Sequence, residues 1–439
     1  MKKILLATSA LIALGSLPVR ADDTPFSFSV KGSFVENLGY ATNYKLNSHG
    51  APTAVRVDNP TERDDALLSA VGKMTFGGGY SLSLQGDFFG TASSLSRSGN
   101  GGCRRDTPDA VSSHCATNLG IKHLFATLGS PYGSLIVGER EDATYLLHNT
   151  APDVSPLARG NNGFFHYWVV APISHRGLTT DNDSRYDDRS VKISYVTPAY
   201  QGVTAAITYV PRLASTVGSG SPTPATAADY GLYLPGGQAT GPNFGGDAAG
   251  GGLYYAHSLH GVGIKADATV LQADTANLRI WQQGVQILYG GFTLGASSLI
   301  RDVPGDASIG GIMGNGAAAA VGGTGASAAA IAQTALFAGN AYTLGLRYAI
   351  GPYSVSASFF HDNSKSLAAL NGSGRADSTD FYDLGVAYDL GNTFHGGPKA
   401  TLRAGVGYVT YRGPVAQASA PYVNNNDGVA AVTGIKLDF

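Results

Sequence analysis

Beyond its first twenty-one residues the chain has no apolar run of about eighteen residues, so no transmembrane helix can be drawn in it. It has only two cysteines, and neither has a His or Cys partner at zinc-like spacing, which excludes a zinc site. Charge of one sign is missing too: 29 Lys+Arg stand against 31 Asp+Glu, a formal net charge of −2. That balance argues against nucleic acid, which needs a basic stripe. There is no G-x-S-x-G, no P-loop, no C-x-x-C and no H-E-x-x-H, so no cofactor is implied and no enzyme motif is present. His148, His166 and His175 fall in one connection but at the spacing of no known ligand set, and are read as incidental. His361-Asp362 is the nearest approach to a catalytic pair. Adjacent strand residues point to opposite faces, which separates them.

What the chain does have is sixty glycines, twenty-three tyrosines and a start built for export. Lys2 and Lys3 precede a short apolar stretch from Ile4 to Leu17, and Val19-Arg20-Ala21 offers the small residues of a cleavage site. Residues 1–21 are therefore expected to be a signal peptide, and residues 22–439 the mature domain. Losing Lys2, Lys3 and Arg20 from the 29 basic residues leaves 26 against 31 acidic ones, a formal charge of −5. Cys103 and Cys115 then reach an oxidising compartment inside a polar Gly/Ser-rich stretch, and are expected to form a disulfide that staples a surface loop.

The mature sequence breaks into segments of about ten residues with period-two hydrophobicity. They run Pro25 to Tyr40, Asp65 to Phe76, Tyr80 to Phe89, Asn118 to Gly129, Tyr132 to Arg140, Arg189 to Thr197, Gly202 to Arg212 and Gly252 to His260. Val262 to Gln272, Leu278 to Tyr289, Phe292 to Arg301, Ala341 to Ile350, Tyr353 to His361, Asp380 to Leu390, Ala400 to Tyr411 and Gly428 to Phe439 complete the set. Short Gly/Pro turns alternate with long connections throughout. The predicted fold is all-β: an up-and-down antiparallel transmembrane barrel of about sixteen strands with short periplasmic turns and long extracellular loops. Tyr342, Leu344, Leu346, Tyr348 and Ile350 would face lipid, while Thr343, Gly345, Arg347 and Ala349 would face a wet lumen. Small and charged lumen positions such as Gly345, Gly385, Gly405, Lys436 and Asp438 favour a water-filled pore over a plugged barrel. The last strand alternates Ile435, Leu437 and Phe439.

Leu124-Phe125-Ala126-Thr127-Leu128-Gly129, then Tyr132-Gly133-Ser134-Leu135-Ile136-Val137-Gly138, and Ser194-Tyr195-Val196-Thr197-Pro198 ahead of Gly202 resemble consecutive strands of the general porins of Gram-negative bacteria, the sixteen-stranded trimeric type. The resemblance implies an outer-membrane channel for passive diffusion of ions and small hydrophilic solutes. A carbohydrate-selective channel is the alternative, which Tyr145, Phe164, Phe165, Tyr167 and Trp168 could serve unless they wedge the loop against the wall. A structural or adhesive barrel is the other class. The resemblance to the porins also implies a homotrimer set in outer-membrane lipid and lipopolysaccharide, and a Phe439 signal for the barrel assembly machinery. The small outward face of the second strand, Ala66, Leu68, Ala70, Gly72 and Met74, suits such a subunit contact.

The resemblance places the third long connection, Glu141 to Asp188, inside the barrel. Its Glu141, Asp142, Asp153 and Arg159 would face a wall ladder of Lys31, Lys73, Arg347, Arg403 and Lys436. Where the family has Gly-Arg at the end of the fifth strand, this chain has Gly138-Glu139-Arg140, so either Glu139 takes the wall position or a bulge brings Arg140 there.

Overall fold

A strand with every second residue apolar has one face that water rejects. In a bilayer a sheet of such strands is stable only when closed, because an open edge leaves backbone groups unpaired in hydrocarbon. The structure, a computed structural model, describes residues 26–46, 52–92, 118–157, 168–169, 191–211, 247–273, 278–302, 339–364, 377–392, 398–412 and 426–439. Sixteen strands lie within them: β1 (Phe26–Leu46), β2 (Pro52–Phe76), β3 (Tyr80–Ala92), β4 (Asn118–Ser130), β5 (Gly133–Glu139), β6 (Val191–Val196), β7 (Val203–Val210), β8 (Ala248–Leu259), β9 (Val262–Ala273), β10 (Leu278–Tyr289), β11 (Phe292–Asp302), β12 (Gly339–Ile350), β13 (Tyr353–Ser364), β14 (Asp377–Asn392), β15 (Lys399–Arg412) and β16 (Asn426–Asp438). Each is antiparallel to its sequence neighbours, and β16 pairs with β1 to close the barrel. At this seam the main chains of Gly32 and Phe439 exchange hydrogen bonds of 2.8 and 3.0 Å.

Residues paired across the ladder share a face, so register fixes which side chains point inward. The outcome inverts a soluble protein: Leu344 is 51% exposed while its neighbour Thr343 is 2% exposed. Inward hydroxyls pair between strands, as Ser194 with Thr208 at 2.7 Å and Ser297 with Thr343 at 2.6 Å. Aromatic contacts gather at both ends of the outward face. Phe359 and Tyr382 meet at 4.9 Å on the long-loop side, and Tyr353 and Tyr388 at 4.8 Å beside the short turns. These are the interfacial girdles of a lipid-facing barrel. The turns follow backbone chemistry: β10 and β11 join through Gly290 and Gly291 with φ of 53° and 89°, the left-handed pair a two-residue hairpin needs.

One expectation needs correction. The connection between the first two strands, read as running from Tyr40 to Asp65, is largely strand. β1 and β2 stay in register from Tyr44↔Arg56 down to Phe26↔Met74. β16 accompanies β1 only as far as Thr42, and β3 accompanies β2 only as far as Asp64, so the hairpin rises above the barrel. Above the membrane neither face must be apolar, and the alternation that marks a strand in lipid disappears there.

Candidate functional site

The lumen is furnished by the segment that follows β5. Gly138 has φ +136°, and the chain leaves the wall two residues later. Glu139 pairs with Leu124 and Val191, both exposed on the outward face, so its position belongs to the outer surface and not to the pore. Arg140 turns inward, its guanidinium carbon 4.6 Å from the centre of the lumen-facing Phe125 ring. Period-two alternation through Gly138 puts these two residues on opposite faces, which settles the Gly-Glu-Arg ambiguity in favour of Arg140. The Lys192 ammonium donates to the Arg140 carbonyl. The buried His123 ring stands 2.9 Å from Asp87 of β3 through Nδ1 and 3.0 Å from Glu141 through Nε2. Glu141 is thereby held to the wall.

Asp142 caps the short helix Ala143–Leu147. Its Oδ1 accepts from the Tyr145 amide at 2.9 Å and the Thr144 hydroxyl at 2.7 Å, and it is fully buried. It therefore presents no charge to the lumen. Ala143 and Leu147 pack on Ala206 of β7. Asp267, facing inward from β9, is the next anchor. It meets His148 Nδ1 at 2.7 Å, the Asn149 amide at 2.7 Å and the Asn149 side chain at 3.1 Å. Gln286 of β10 donates to the Thr150 carbonyl at 2.6 Å.

From here the segment follows inward glycines around the wall. A methyl group at Gly284 would strike the Asn149 carbonyl. At Gly295 it would stand 2.7 Å from Pro152 Cδ, at Gly345 2.7 Å from the Pro152 carbonyl, and at Gly385 2.6 Å from the Ser155 nitrogen. The backbone lies where side chains would otherwise project. Polar side chains tie it down between these points. Ser356 on β13 accepts from the Val154 amide at 3.1 Å and donates to Asp153 at 3.2 Å. Ser155 donates to Asp383 on β14 at 2.9 Å. Leu157, Trp168 and Val169 then enter an apolar cluster with Phe360, Phe381 and Tyr411, and the Tyr411 hydroxyl donates to the Val169 carbonyl at 2.8 Å. Trp168 packs over Gly39 of β1.

The structure thus brings Arg140, Glu141, Asp142 and Asp153 together along one inner belt, but in different roles from those expected. Asp153 bonds to Ser356, the ladder partner of Arg347, and so lies on the same stretch of wall as that arginine. Arg347 and Arg403 point inward two residues from Gly345 and Gly405, on the short-turn side of the belt, and Arg347 donates to Ser354 at 3.2 Å. Lys31 and Lys73 are exposed inward positions of β1 and β2, and Lys436 pairs with Asp438 at 2.8 Å near the seam. Phe439 lays its ring by Gly32 on the outward side. His361 and Asp362 diverge: His361 meets Asp380 on the outer face at 2.7 Å, and Asp362 accepts from the Thr379 amide inside at 2.9 Å. Arg159, Cys103, Cys115, His166 and His175 lie outside the described residues. Sequence reasoning missed Asp267, Asp383 and Ser356. The one signal available was a polar or acidic residue on the inward face in mid-strand.

A closed sixteen-strand barrel, apolar outside and polar inside, with a segment laid along its inner wall, defines a membrane-spanning channel of the outer-membrane kind. The chain belongs to the Gram-negative porin family, whose family model matches residues 7–414. It is an integral β-barrel of the outer membrane and a channel for passive diffusion of solutes. No curated protein sequence matches it. Among solved structures it is similar to Salmonella typhi OmpF in complex with daunomycin, with 11% identity, 94% of this chain and 97% of that one covered, and a TM-score of 0.49. It is also similar to the anion-selective porin from Comamonas acidovorans (13% identity, 94% and 100% covered, TM-score 0.46) and to Pseudomonas aeruginosa OccK9 (13%, 94% and 99%, 0.44).

Proposed function

We propose that the chain is a general diffusion channel whose size limit is set by the inner belt beginning at Glu141. The observation that carries this reading is the series of tethers through Asp267, Ser356 and Asp383, which fixes the segment within the lumen rather than above it. A pore narrowed by a fixed segment passes hydrophilic solutes by size and charge without a binding step. Trp168 is buried against the wall, so it offers no surface to a sugar ring, which favours wedging over a carbohydrate path. Belt and wall do structural work with every inward carboxylate described above, and we assign the chain no catalytic role.

Deleting Ala151 to Gly163 should widen the pore and raise single-channel conductance in planar bilayers. Unchanged conductance and unchanged solute-size cutoff in a correctly folded barrel would remove the belt from the permeation path. The working protein in this reading is a homotrimer, freed of residues 1–21 on export, folded by the barrel assembly machinery and held among lipopolysaccharide. The small outward positions Ala66, Ala70 and Gly72 of β2 support a subunit contact, and native mass measurement yielding only monomers would speak against it. Cys103 and Cys115 form a loop disulfide in the same reading, which mass spectrometry of the unreduced protein tests.

A further inference from the structure

Lumen charge in this barrel divides unequally between what is tied down and what water can reach. Among the described residues, Asp142 is consumed as a helix cap, and Asp267 and Asp383 as belt anchors. Asp362 accepts a main-chain amide, and Asp87 and Glu141 flank His123. Asp153 lies in hydrogen bonds to Ser356 and to the Ser155 amide. At the short-turn rim Asp389 is paired with Lys399 at 2.7 Å and Asp438 with Lys436 at 2.8 Å, so neither leaves a net charge. The cations behave differently. Lys31 and Lys73 are exposed, Lys265 points inward from β9 opposite Gln286, and none of the three has a carboxylate at ion-pair distance among the described residues. Arg347 joins them on the short-turn side of the belt, donating to the Ser354 hydroxyl and meeting no carboxylate at ion-pair distance among the described residues.

We infer that the channel passes small anions, such as chloride, phosphate and simple carboxylates, in preference to cations, and that Lys31, Lys73, Lys265 and Arg347 form the selecting ring on the periplasmic side of the belt. The inference rests on the channel reading above. The formal net charge of −2 for the whole chain does not report this field, because a chain total does not distinguish tied carboxylates from cations that water reaches. Low-dielectric walls focus the field of such a ring into the aqueous path. A unit charge about 8 Å from an ion in water changes its population by roughly a factor of two. Four such groups acting together give a preference that a salt gradient reads easily.

The test is the reversal potential of the purified full-length protein in planar bilayers across a tenfold potassium chloride gradient. It is repeated with Lys31→Gln, Lys265→Gln and the triple variant Lys31→Gln/Lys73→Gln/Lys265→Gln. The expected sign is anion-directed, with the chloride-to-potassium permeability ratio falling roughly fourfold per charge removed, about twofold from each ion. The preference should also weaken when both solutions are raised towards 1 M, where the screening length falls to about 3 Å. Conducting channels with a cation-directed potential would overturn the anion inference while leaving the channel reading intact. Anion preference unchanged by all three variants would overturn the assignment to these lysines. Folded protein that inserts yet never conducts would sink the channel reading, and this one with it.

Discussion

Replacing Gly385 by alanine isolates the seat of the inner belt. The added methyl would stand 2.6 Å from the Ser155 nitrogen and 2.8 Å from its Cα and Cβ. Carbon contacts relax only at about 3.5–4.0 Å, so the backbone at Ser155 must retreat by about 1 Å. The 2.9 Å bond from Ser155 to Asp383 does not survive that shift. Losing this donor from a buried carboxylate costs about 1–3 kcal/mol, and the crowding itself adds a further ~1–3 kcal/mol. The ladder of β14 is untouched because the methyl points away from it, so the belt gives way and not the barrel. Single-channel recordings of Gly385→Ala should show lower conductance and noisier open levels, with circular dichroism and detergent-resistant assembly unchanged. Gly77→Ala is the control: it lies in the short turn between β2 and β3, and its added methyl would meet nothing within 4 Å. Wild-type conductance and noise in Gly385→Ala would refute the seating of the belt on this glycine.

Asp267→Ala removes three hydrogen bonds with His148 and Asn149, a loss of the order of 3 kcal/mol, and hydrogen exchange at the Asn149 amide should accelerate sharply. An unchanged exchange rate would mean that the anchor holds nothing. Trp168→Ala empties a site that is 1% exposed and should cost about 3–5 kcal/mol, read as faster unfolding in denaturant. Asp153→Asn keeps an oxygen that can accept from the Ser155 amide and sits against the wall, so it should move the reversal potential less than Lys73→Gln does. A larger shift from Asp153→Asn would place this acid in the ion path.

Much of the architecture could be read from alternation, because lipid imposes it strand by strand. Leu344 and Thr343 face opposite ways for a reason local to them, and the same logic repeats through all sixteen strands. The upper halves of β1 and β2 escaped for the complementary reason: above the membrane nothing enforces alternation. The belt was harder. The resemblance placed it inside the lumen, but Gly345, Gly385 and Gly405 read as room for water, when they are the surface on which backbone lies. A missing side chain has no partner in sequence, so what fills its place is visible only in three dimensions. Arg140 was recoverable, because alternation through Gly138 already sends Glu139 outward.

The bare inner wall has a consequence for how such a pore can change. The course of the belt is written in Gly284, Gly295, Gly345 and Gly385 on the wall as well as in the belt's own tethers. Substitutions at belt positions that hold no tether can therefore alter the chemistry met by a passing solute while the route stays put. A transplanted belt, by contrast, will take a new route in any barrel that carries β-carbons at those places. Pore lining and pore shape are inherited through separate sets of residues, and an engineer grafting this segment must move both.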